Sequence, residues 1–557
     1  MRTGKALRKW WWIALPLALV LAWASGVLLD GIVRSRLVEL ANRIAGEGYE
    51  VTIAGVDARF FEGSIGVHGI HLRPEPWLID SLRAGGVGEV LELVADELHI
   101  RQVSYKDLLT DGNVIFQVVE VRQPEIQYHF RPDETEEPPP GDEKADDVVE
   151  EQEVARLPAF IRVDSLVIRE ATGLTNDITG RRPSFRIGGT DIIGTGVELH
   201  TGPDGVVHYD LHEASVHAWD LNAELPPLYD VHVGSVEVDH PSGIGRIRGL
   251  QLRPRKDQHS YGELVKHEVD LFDISMDSIF IGNINAGAFI AHQVLHAGKV
   301  ELHSPKAIIY RDKTLPDGEF KFRHLPISGL RQLGISIQVD SVQMIDGVVE
   351  YHEKDISGND FGKVDLSSIT GTMTGLHNRE SGEDEYLEVT ASARVYGATT
   401  VNVHFRAPLN NTNDAFTLDA QLRSLPFTVF NRMTDELLNV KASAGTIHAL
   451  DLHMQGNEWQ ASGTVDLAYE DLRIDIVPNA DKWHQGKIKN LLANAMVRKR
   501  NLPEKGNYRQ GTFTVDRRKD RAIFNFIWQA IKVGSVDSMA PGLFRQRMRE
   551  AAKHREN

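Results

Sequence analysis

Cysteine is missing from all 557 residues, and positive charges are fewer than negative ones. A chain without thiols cannot form disulfides, thiolate metal sites or iron–sulfur clusters, and it cannot use a cysteine nucleophile. Lys and Arg number 61 against 79 Asp and Glu, which gives a formal net charge of −18. Because nucleic-acid binding needs a basic surface, this balance argues against a nucleic-acid partner.

Long apolar runs are also missing, with one exception near the N-terminus. The stretch Trp10–Leu29 carries no charge, and its roughly 20 residues would cross a ~30 Å hydrocarbon core as a helix. Basic residues precede it, and Trp10, Trp11 and Trp12 stand at the edge where indole rings favour the headgroup level. We predict a single-pass anchor ending at Leu29, with the N-terminus in the cytoplasm and the body across the membrane.

A cleaved signal peptide is the competing interpretation of this segment. Ala22, Trp23 and Ala24 match the small-residue pattern of a cleavage site. The apolar run continues past that site to Leu29, which is longer than a signal needs, so the anchor is favoured.

Catalytic signatures are lacking as well. The sequence contains no P-loop, no G-x-S-x-G elbow and no H-E-x-x-H pair. His208, His212 and His217 come nearest to a metal site, but on a strand His217 would point away from the other two. Surface histidines explain them equally well. We predict that the protein is not an enzyme and needs no metal or cofactor.

Apolar and polar residues alternate through much of the body. Between Leu387 and Val395 every second residue is apolar, and the period recurs at Val401–Ala407, Phe416–Leu422 and Trp459–Tyr469. Such alternation is typical of antiparallel strands that are covered on one side. We predict a mostly β body.

The segment Pro132–Arg156 breaks this pattern. It combines Pro138, Pro139 and Pro140 with a dense run of Asp and Glu, and it has almost nothing apolar to bury. This composition predicts a disordered or extended linker, with an acidic binding segment as the alternative.

The sequence repeats itself over a long distance. VTIAGVDARFFEGSIGVHGIHLRP at Val51–Pro74 aligns without a gap with VHVGSVEVDHPSGIGRIRGLQLRP at Val231–Pro254. At nearly the same offset, VEVRQP and VDSLVI, which begin at Val119 and Val163, match VELHSP and VDSVQM, which begin at Val300 and Val339. A common offset indicates two tandem copies of one β unit.

Two segments have helical spacing instead. Residues 31–46 place apolar side chains on one face, which predicts a short amphipathic helix leaving the membrane surface. Phe524, Ile527, Trp528 and Ile531 form one stripe on Arg521–Val533. We predict that this stripe caps an open end of the sheet. The alternative is that it lies on a membrane, helped by the basic tail from Arg545 to Lys553.

The C-terminal third carries a family resemblance. A glycine-bounded strand pair at Gly445–Val477 contains Tyr469-Glu470-Asp471-Leu472, and it is followed by Arg498–Pro503 (RKRNLP) and by a helix with Phe524, Phe526 and Trp528. These features resemble the C-terminal region of AsmA-like proteins, a bacterial envelope family that includes TamB-related members. The glycine-bounded strand Gly63–Leu72 after an N-terminal anchor is similar to that family too.

The resemblance implies a bacterial inner-membrane anchor, a periplasmic body and an elongated antiparallel sheet curled into an apolar groove. Family members are thought to carry or shield phospholipid acyl chains between membranes, or to support outer-membrane assembly. We expect a role in lipid transport or envelope biogenesis, with the inner membrane, acyl chains and other envelope proteins as partners. A structural scaffold that recruits partners without transferring lipid is the alternative.

These expectations divide the chain into an anchor (residues 1–30), a connector helix (31–50), a first repeat unit (51–230), a second repeat unit (231–422) and an AsmA-like C-terminal region with short helices (423–557). The predicted groove-lining residues are the apolar members of the clearest strands: Leu387, Val389, Val395, Val401, Val403, Phe405, Phe416, Leu418, Leu422, Val465 and Leu467.

Overall fold

A computed structural model describes residues 30–39, 41–42, 45–59, 62–102, 114–132, 160–180, 184–201, 207–285, 294–356, 360–438, 440–476 and 498–540. The predicted anchor Trp10–Leu29 and nearly all of the acidic segment lie outside these residues. No helix within the described ranges has both the length and the apolar character needed to cross a membrane.

The described chain is mostly β, as predicted, and its strands are hydrogen-bonded into one large mixed sheet. The chain divides into two compact units. Unit 1 comprises the residues up to Leu225 together with His232–Ser242, and unit 2 comprises Pro226–Val231 together with Gly243 onward. Each unit is described by itself.

The part of unit 1 that the structure describes contains ten complete strands and most of an eleventh. Their bounds are β1 Tyr49–Arg59, β2 Ser64–Pro74, β3 Glu89–Arg101, β4 Val114–Arg122, β5 Glu125–Phe130, β6 Phe160–Arg169, β7 Thr172–Asp177, β8 Phe185–Thr201, β9 Val207–Asp210, β10 Glu213–Leu225 and β11 Tyr229–His240. Residues 30–39 form helix α1. Helix α2, Pro76–Ala84, begins with a proline whose fixed φ suits a first turn, and it ends at Gly85 in the left-handed conformation.

The described residues of unit 2 form twelve strands, three helices and three short 3₁₀ turns. The strands are β12 Ile244–Pro254, β13 Asp270–Gly282, β14 Val294–His303, β15 Lys306–Asp312, β16 Ser336–Lys354, β17 Gly362–His377, β18 Tyr386–Val395, β19 Thr399–Pro408, β20 Phe416–Pro426, β21 Val440–Gly456, β22 Gln460–Ile476 and β23 Gly511–Asp516. The helices are α3 Pro326–Arg331, α4 Asn431–Leu438 and α5 Ile523–Met539, and the turns are Tyr261–Glu263, Phe427–Phe430 and Pro503–Lys505.

The tandem repeat is present in the strand pairing. In unit 1, β3 pairs with both β4 and β5; β4 then pairs with β6, and β5 with β7. In unit 2, β13 pairs with both β14 and β15, and each of these pairs with the long strand β16. The registers agree as well as the order. Equivalent cross-strand pairs are Glu97–Arg122 and Ser278–His303, Glu89–Phe130 and Asp270–Arg311, Val119–Leu166 and Val300–Val342, and Glu125–Thr172 and Lys306–Val348.

The prediction of an antiparallel sheet is wrong in one respect, because each copy contains parallel pairings. β4 and β5 run parallel to β6 and β7, and β14 and β15 run parallel to β16. Parallel neighbours cannot be joined by a tight turn, so each copy needs a long crossover connection. In unit 2 this connection runs from Asp312 to Ser336 and contains α3.

Buried apolar side chains are concentrated at two places. In unit 1, Val33 and Leu37 of α1 pack on Ile53, Ile65 and neighbouring side chains of the first strands. In unit 2, a larger cluster extends from Leu325 to Ala530 and joins β18–β23 to residues of α3 and α5. Among the described residues, the other strands have no such cluster over their apolar face, apart from the small contact of α2 with Val90.

Side chains from helices block the outer edge of the first and last strands. In unit 1, Asn42 Oδ1 accepts the N–H of Val51 at 3.0 Å and Asp30 Oδ1 accepts that of Ala58 at 2.7 Å. In unit 2, Asp537 of α5 accepts the N–H of Thr512 in β23 at 2.9 Å. A bare edge invites pairing with another chain, so these contacts limit edge-to-edge association.

Candidate functional site: an uncovered apolar face

Alternation and register gather apolar side chains on one face of unit 1. Leu72 lies opposite Leu93, and Leu93 lies opposite Ile126 in the next strand. Leu221 lies opposite Ile187 farther along the sheet. Residues directly opposite each other share a face of the sheet. This apolar face includes Leu72, Leu91, Leu93, Val121, Ile126, Tyr128, Leu166, Ile168, Ile187, Ile192, Val216 and Leu221.

The second copy gathers the same kind of side chains in unit 2. Leu252 lies opposite Ile274, and Ile279 lies opposite Leu302. The face continues across the parallel pairing of β14 with β16. It includes Ile247, Leu250, Leu252, Phe272, Ile274, Met276, Ile279, Ile281, Val300, Leu302, Ile309, Val342, Met344 and Val349.

These side chains are partly exposed. All of them are intermediate in exposure, neither buried nor fully exposed. Within the described ranges, none of them belongs to a cluster of buried apolar residues or packs against one. A sheet that packed against a second layer would bury this face. The structure therefore leaves an apolar, half-exposed face on both repeat copies.

The opposite face carries charged pairs, both within a strand and between neighbouring strands. Arg101 and Arg122 both bond Glu120 at distances of 2.9 and 2.8 Å, and the hydrogen bond from Arg122 is the main reason why the pKa of Glu120 is lowered. Arg253 bonds Asp273 at 2.6 Å in the second copy. The charged face is suited to water, so the two faces of each repeat differ in what they can bind.

Charged groups stand at one end of the apolar face in unit 2. Arg311 lies 2.8 Å from Asp270 and also bonds Glu268, whose second partner is Arg521 at 3.2 Å. Arg521 precedes α5, so this network attaches the C-terminal segment to the strand ends.

The groove-lining residues predicted from sequence lie in that closed cluster. Eight are buried, namely Leu387, Val395, Phe405, Phe416, Leu418, Leu422, Val465 and Leu467, and Val389, Val401 and Val403 are partly buried against the same cluster. Residues of α3 and α5, among them Ile327 and Phe526, cover them. Lipid contact at these positions stays a prediction, and the face that the structure leaves uncovered lies on β2–β10 and on β12–β16 instead.

The predicted stripe on α5 needs a correction. The helix buries Phe526, Ala530 and Gly534, whereas Phe524 is 75% exposed and Trp528 40% exposed. Ile527 and Ile531 are partly buried against the cluster. The helix therefore does cover strands, as predicted, but with a face turned away from Phe524 and Trp528. The helical spacing of bulky residues could not identify the buried face, because two of the residues on that face, Ala530 and Gly534, have small side chains.

No protein-family model matches the chain, and no curated protein has a significantly similar sequence. The AsmA-like resemblance thus stays a prediction from the residues themselves.

Among the described residues, no three His, Asp or Glu side chains are arranged so that they could hold a metal ion. His217 lies 4.0 Å from Glu237 and stacks at a tilt on Trp219. Asp164 and Asp340, which occupy equivalent places in the two copies, lie in the strands β6 and β16, and Asp164 bonds Arg162 at 2.8 Å.

Proposed function

We propose that this protein is a membrane-anchored envelope protein of AsmA type, which holds phospholipid acyl chains against the apolar face of its two repeats. The observation that carries the proposal is the uncovered apolar face, because soluble proteins rarely leave large apolar surfaces in water without a ligand or partner. The bacterial inner membrane and the periplasm remain the proposed locations of the anchor and the body.

The energetics favour a chain-like apolar ligand. Moving one methylene from water to an apolar surface contributes about 0.8 kcal/mol. The face offers facing apolar side chains on paired strands, such as Leu93 with Ile126 in the first copy and Ile279 with Leu302 in the second, with few polar groups among them. Such a surface gives an acyl chain contact along its length but gives no hydrogen bond that would fix one lipid position, which is compatible with movement along the strands.

Site-specific photocrosslinking of the full chain tests the proposal. A photoreactive residue at Ile274 or Leu302 should capture phospholipid from membranes of the host cell. The matched position on the charged face, Asp273 next to Ile274, should not. Equal capture on both faces, or no lipid adduct at either apolar position, would overturn the proposal.

The scaffold alternative predicts a different product in the same experiment. A partner-recruiting face would yield protein adducts at Ile274 and Leu302 and no lipid. Adding a reporter after Asn557 tests the proposed topology separately, since a periplasmic body requires periplasmic reporter activity and a cytoplasmic signal would contradict it.

A further inference from the structure

One row of apolar side chains crosses unit 2 from the uncovered face into the closed cluster. Each member lies directly opposite the next on the neighbouring strand, so all of them share one face of the sheet. The row comprises Val300, Val342, Met373, Val389, Phe405, Leu418 and Met454. Val300 and Val342 are partly exposed, whereas the last three members are buried. The uncovered face therefore continues beneath the residues that cover β18–β23.

The two helices that cover the cluster are attached to it to different extents. Helix α5 has 17 residues and is bonded to β23 through Asp537. Helix α3 has six residues, and the chain on either side of it, residues 316–324 and 331–336, is exposed. The apolar side chains that α3 and its N-cap bury in the cluster are Leu325, Ile327 and Leu330. The apolar contact that holds α3 down is therefore small.

Polar contacts to one loop hold α3 in place. Arg331 Nη2 donates to the carbonyl oxygens of Leu409 and Asn411 at 2.6 and 2.8 Å. Ser328 Oγ donates to a carboxylate oxygen of Asp414. All three acceptors belong to the loop between β19 and β20. Water can replace hydrogen bonds of this kind, so they hold the helix without fixing it permanently.

Two of the side chains that hold this segment have unused hydrogen-bonding capacity. Asp414 is 3% exposed, and its Oδ1 has no donor among the described residues. Arg517 donates from Nη2 to the Arg323 carbonyl just before α3, but its Nε and Nη1 are buried and have no acceptor within the same described ranges. Buried charged groups with unmade hydrogen bonds are costly. Lifting α3 would let water reach them, which would offset part of the cost of exposing its apolar side chains.

We propose that α3 is a lid, which lifts from the closed cluster and admits acyl chains from the uncovered face to the strands beneath it. The lid opens transiently by itself, and acyl chains that follow the apolar row stabilise the open state. Helix α5 stays in place and forms the fixed end of this path. The identity of the ligand rests on the proposed function, whereas the opening of the lid does not.

Thiol labelling of the full chain tests the opening without lipid, because the protein has no cysteine of its own. Ile327→Cys and Ala530→Cys, combined in one chain, place thiols under α3 and α5 at side chains that are 2% and 0% exposed. We expect a maleimide to react roughly tenfold faster at position 327, because the opening is local. Global unfolding would label both thiols at the same rate.

Two further variants show whether the polar contacts control this rate. Arg331→Ala should speed the reaction at position 327 several-fold. Arg423→Ala, which removes an exposed ion pair with Asp451 on β20 and β21, should leave it unchanged. Equal rates at positions 327 and 530, or an Arg331→Ala variant that reacts no faster than the Arg423→Ala variant, would overturn the proposal.

A reversible disulfide tests whether acyl chains use the opening. Ser328→Cys with Asp414→Cys joins two side chains that are in contact, so oxidation should lock α3 shut. With vesicles of a phosphatidylcholine that carries a diazirine in its acyl chain, we expect adducts on β20 in the reduced protein and several-fold fewer in the oxidised protein. Adducts on β13 and β14 should be the same in both states.

The pattern of adducts distinguishes failure of the lid from failure of the proposed function. Equal labelling of β20 in the reduced and oxidised proteins, with adducts present on β13 and β14, would overturn the lid and leave the proposed function standing. If β13 and β14 gave no adducts, the proposed function would be refuted, and the admission of acyl chains with it, even if the thiol at position 327 reacted fast.

Discussion

The Tyr49 hydroxyl accepts a hydrogen bond from the backbone N–H of Leu91 at 3.1 Å. Its counterpart in the second copy, Tyr229, accepts the N–H of Phe272 at the same distance. The two copies therefore share a side-chain hydrogen bond near the start of β3 and of β13, in addition to strand order and register.

Replacing the acceptor should loosen that strand locally. Tyr229→Phe leaves the N–H of Phe272 without its partner, at a cost of about 1 kcal/mol. We expect faster hydrogen exchange at the Phe272 amide than in the parent protein. Tyr310→Phe is the control, because no hydrogen bond of its hydroxyl is found among the described residues; unchanged exchange in Tyr229→Phe would show that the contact contributes nothing.

The closed cluster and the uncovered face should respond differently to the same substitution. Leu467 is 1% exposed within the cluster, so Leu467→Ala should cost about 2–5 kcal/mol through lost burial and a cavity. Leu252 is partly exposed on the apolar face, and Leu252→Ala should cost much less. Urea unfolding of both variants measures the difference. Equal losses would mean that the apolar face is covered in solution.

Helix α5 offers a second comparison between neighbouring aromatic residues. Phe526 is 3% exposed and packs edge-on against Phe416, whose ring centre lies 6.3 Å away. Phe526→Ala should lower the free energy of unfolding by about 3–5 kcal/mol, whereas Trp528→Ala should lower it clearly less, because 40% of that side chain stays exposed in the folded protein. A large loss of stability in Trp528→Ala would show that Trp528 is buried against the strands, as the stripe predicted from sequence requires.

Acid should weaken unit 2 through His377. This side chain is 8% exposed, and burial, helped by Arg379, lowers its pKa. The unfolded chain then binds a proton more readily than the folded one, so stability falls as the pH drops below the ordinary histidine value of about 6.5. His377→Gln should flatten the decline between pH 7 and pH 5. His68→Gln, at a side chain that is 48% exposed, is the matched control, and parallel pH curves for the His377 variant and the parent protein would refute the assignment.

The sequence predicted the strands and the repeat because both are local or periodic signals. Period-two alternation shows that a strand has one apolar face, as at Leu387–Val395, and matching segments such as Val119–Pro124 and Val300–Pro305 show that two stretches fold alike. Neither signal says what covers the apolar face. That depends on α3 and α5, whose residues reach β18–β23 from distant parts of the chain.

The parallel pairings escaped prediction for a related reason. A parallel pair and an antiparallel pair can use the same alternating residues, and only the path of the connection distinguishes them. The crossover from Asp312 to Ser336 contains one helix of six residues. A helix this short leaves no clear periodic pattern in the sequence, so the crossover could not be recognised there. The uncovered face was missed because the prediction chose the strands with the clearest alternation. Those strands are covered by helices, and the strands with less regular alternation leave their apolar side chains uncovered.

The contact between α5 and the sheet depends on two glycines that face each other. A Cβ on Gly534 would lie 2.4 Å from Val465 Cγ2, and a Cβ on Gly511 would lie 2.0 Å from the Gly534 carbonyl oxygen. Alanine is ordinarily better than glycine inside a helix by about 1 kcal/mol, so the helix propensity and the packing act in opposite directions at position 534. A Cβ on Gly534 would also lie 2.9 Å from Val465 Cβ, which no side-chain rotation can move away, so we expect packing to dominate.

Gly534→Ala should therefore destabilise the protein by about 1–3 kcal/mol, the usual cost of overpacking. Gly31→Ala in α1 is the matched control, since a Cβ there meets nothing within 4 Å, and it should be neutral or stabilising by up to about 1 kcal/mol. Thermal unfolding and the near-ultraviolet signal of Trp528 report on both variants. If Gly534→Ala were as stable as Gly31→Ala, α5 could not be packed on β22 and β23 as closely as the structure shows, and the closed cluster beneath it would have to be open at that end.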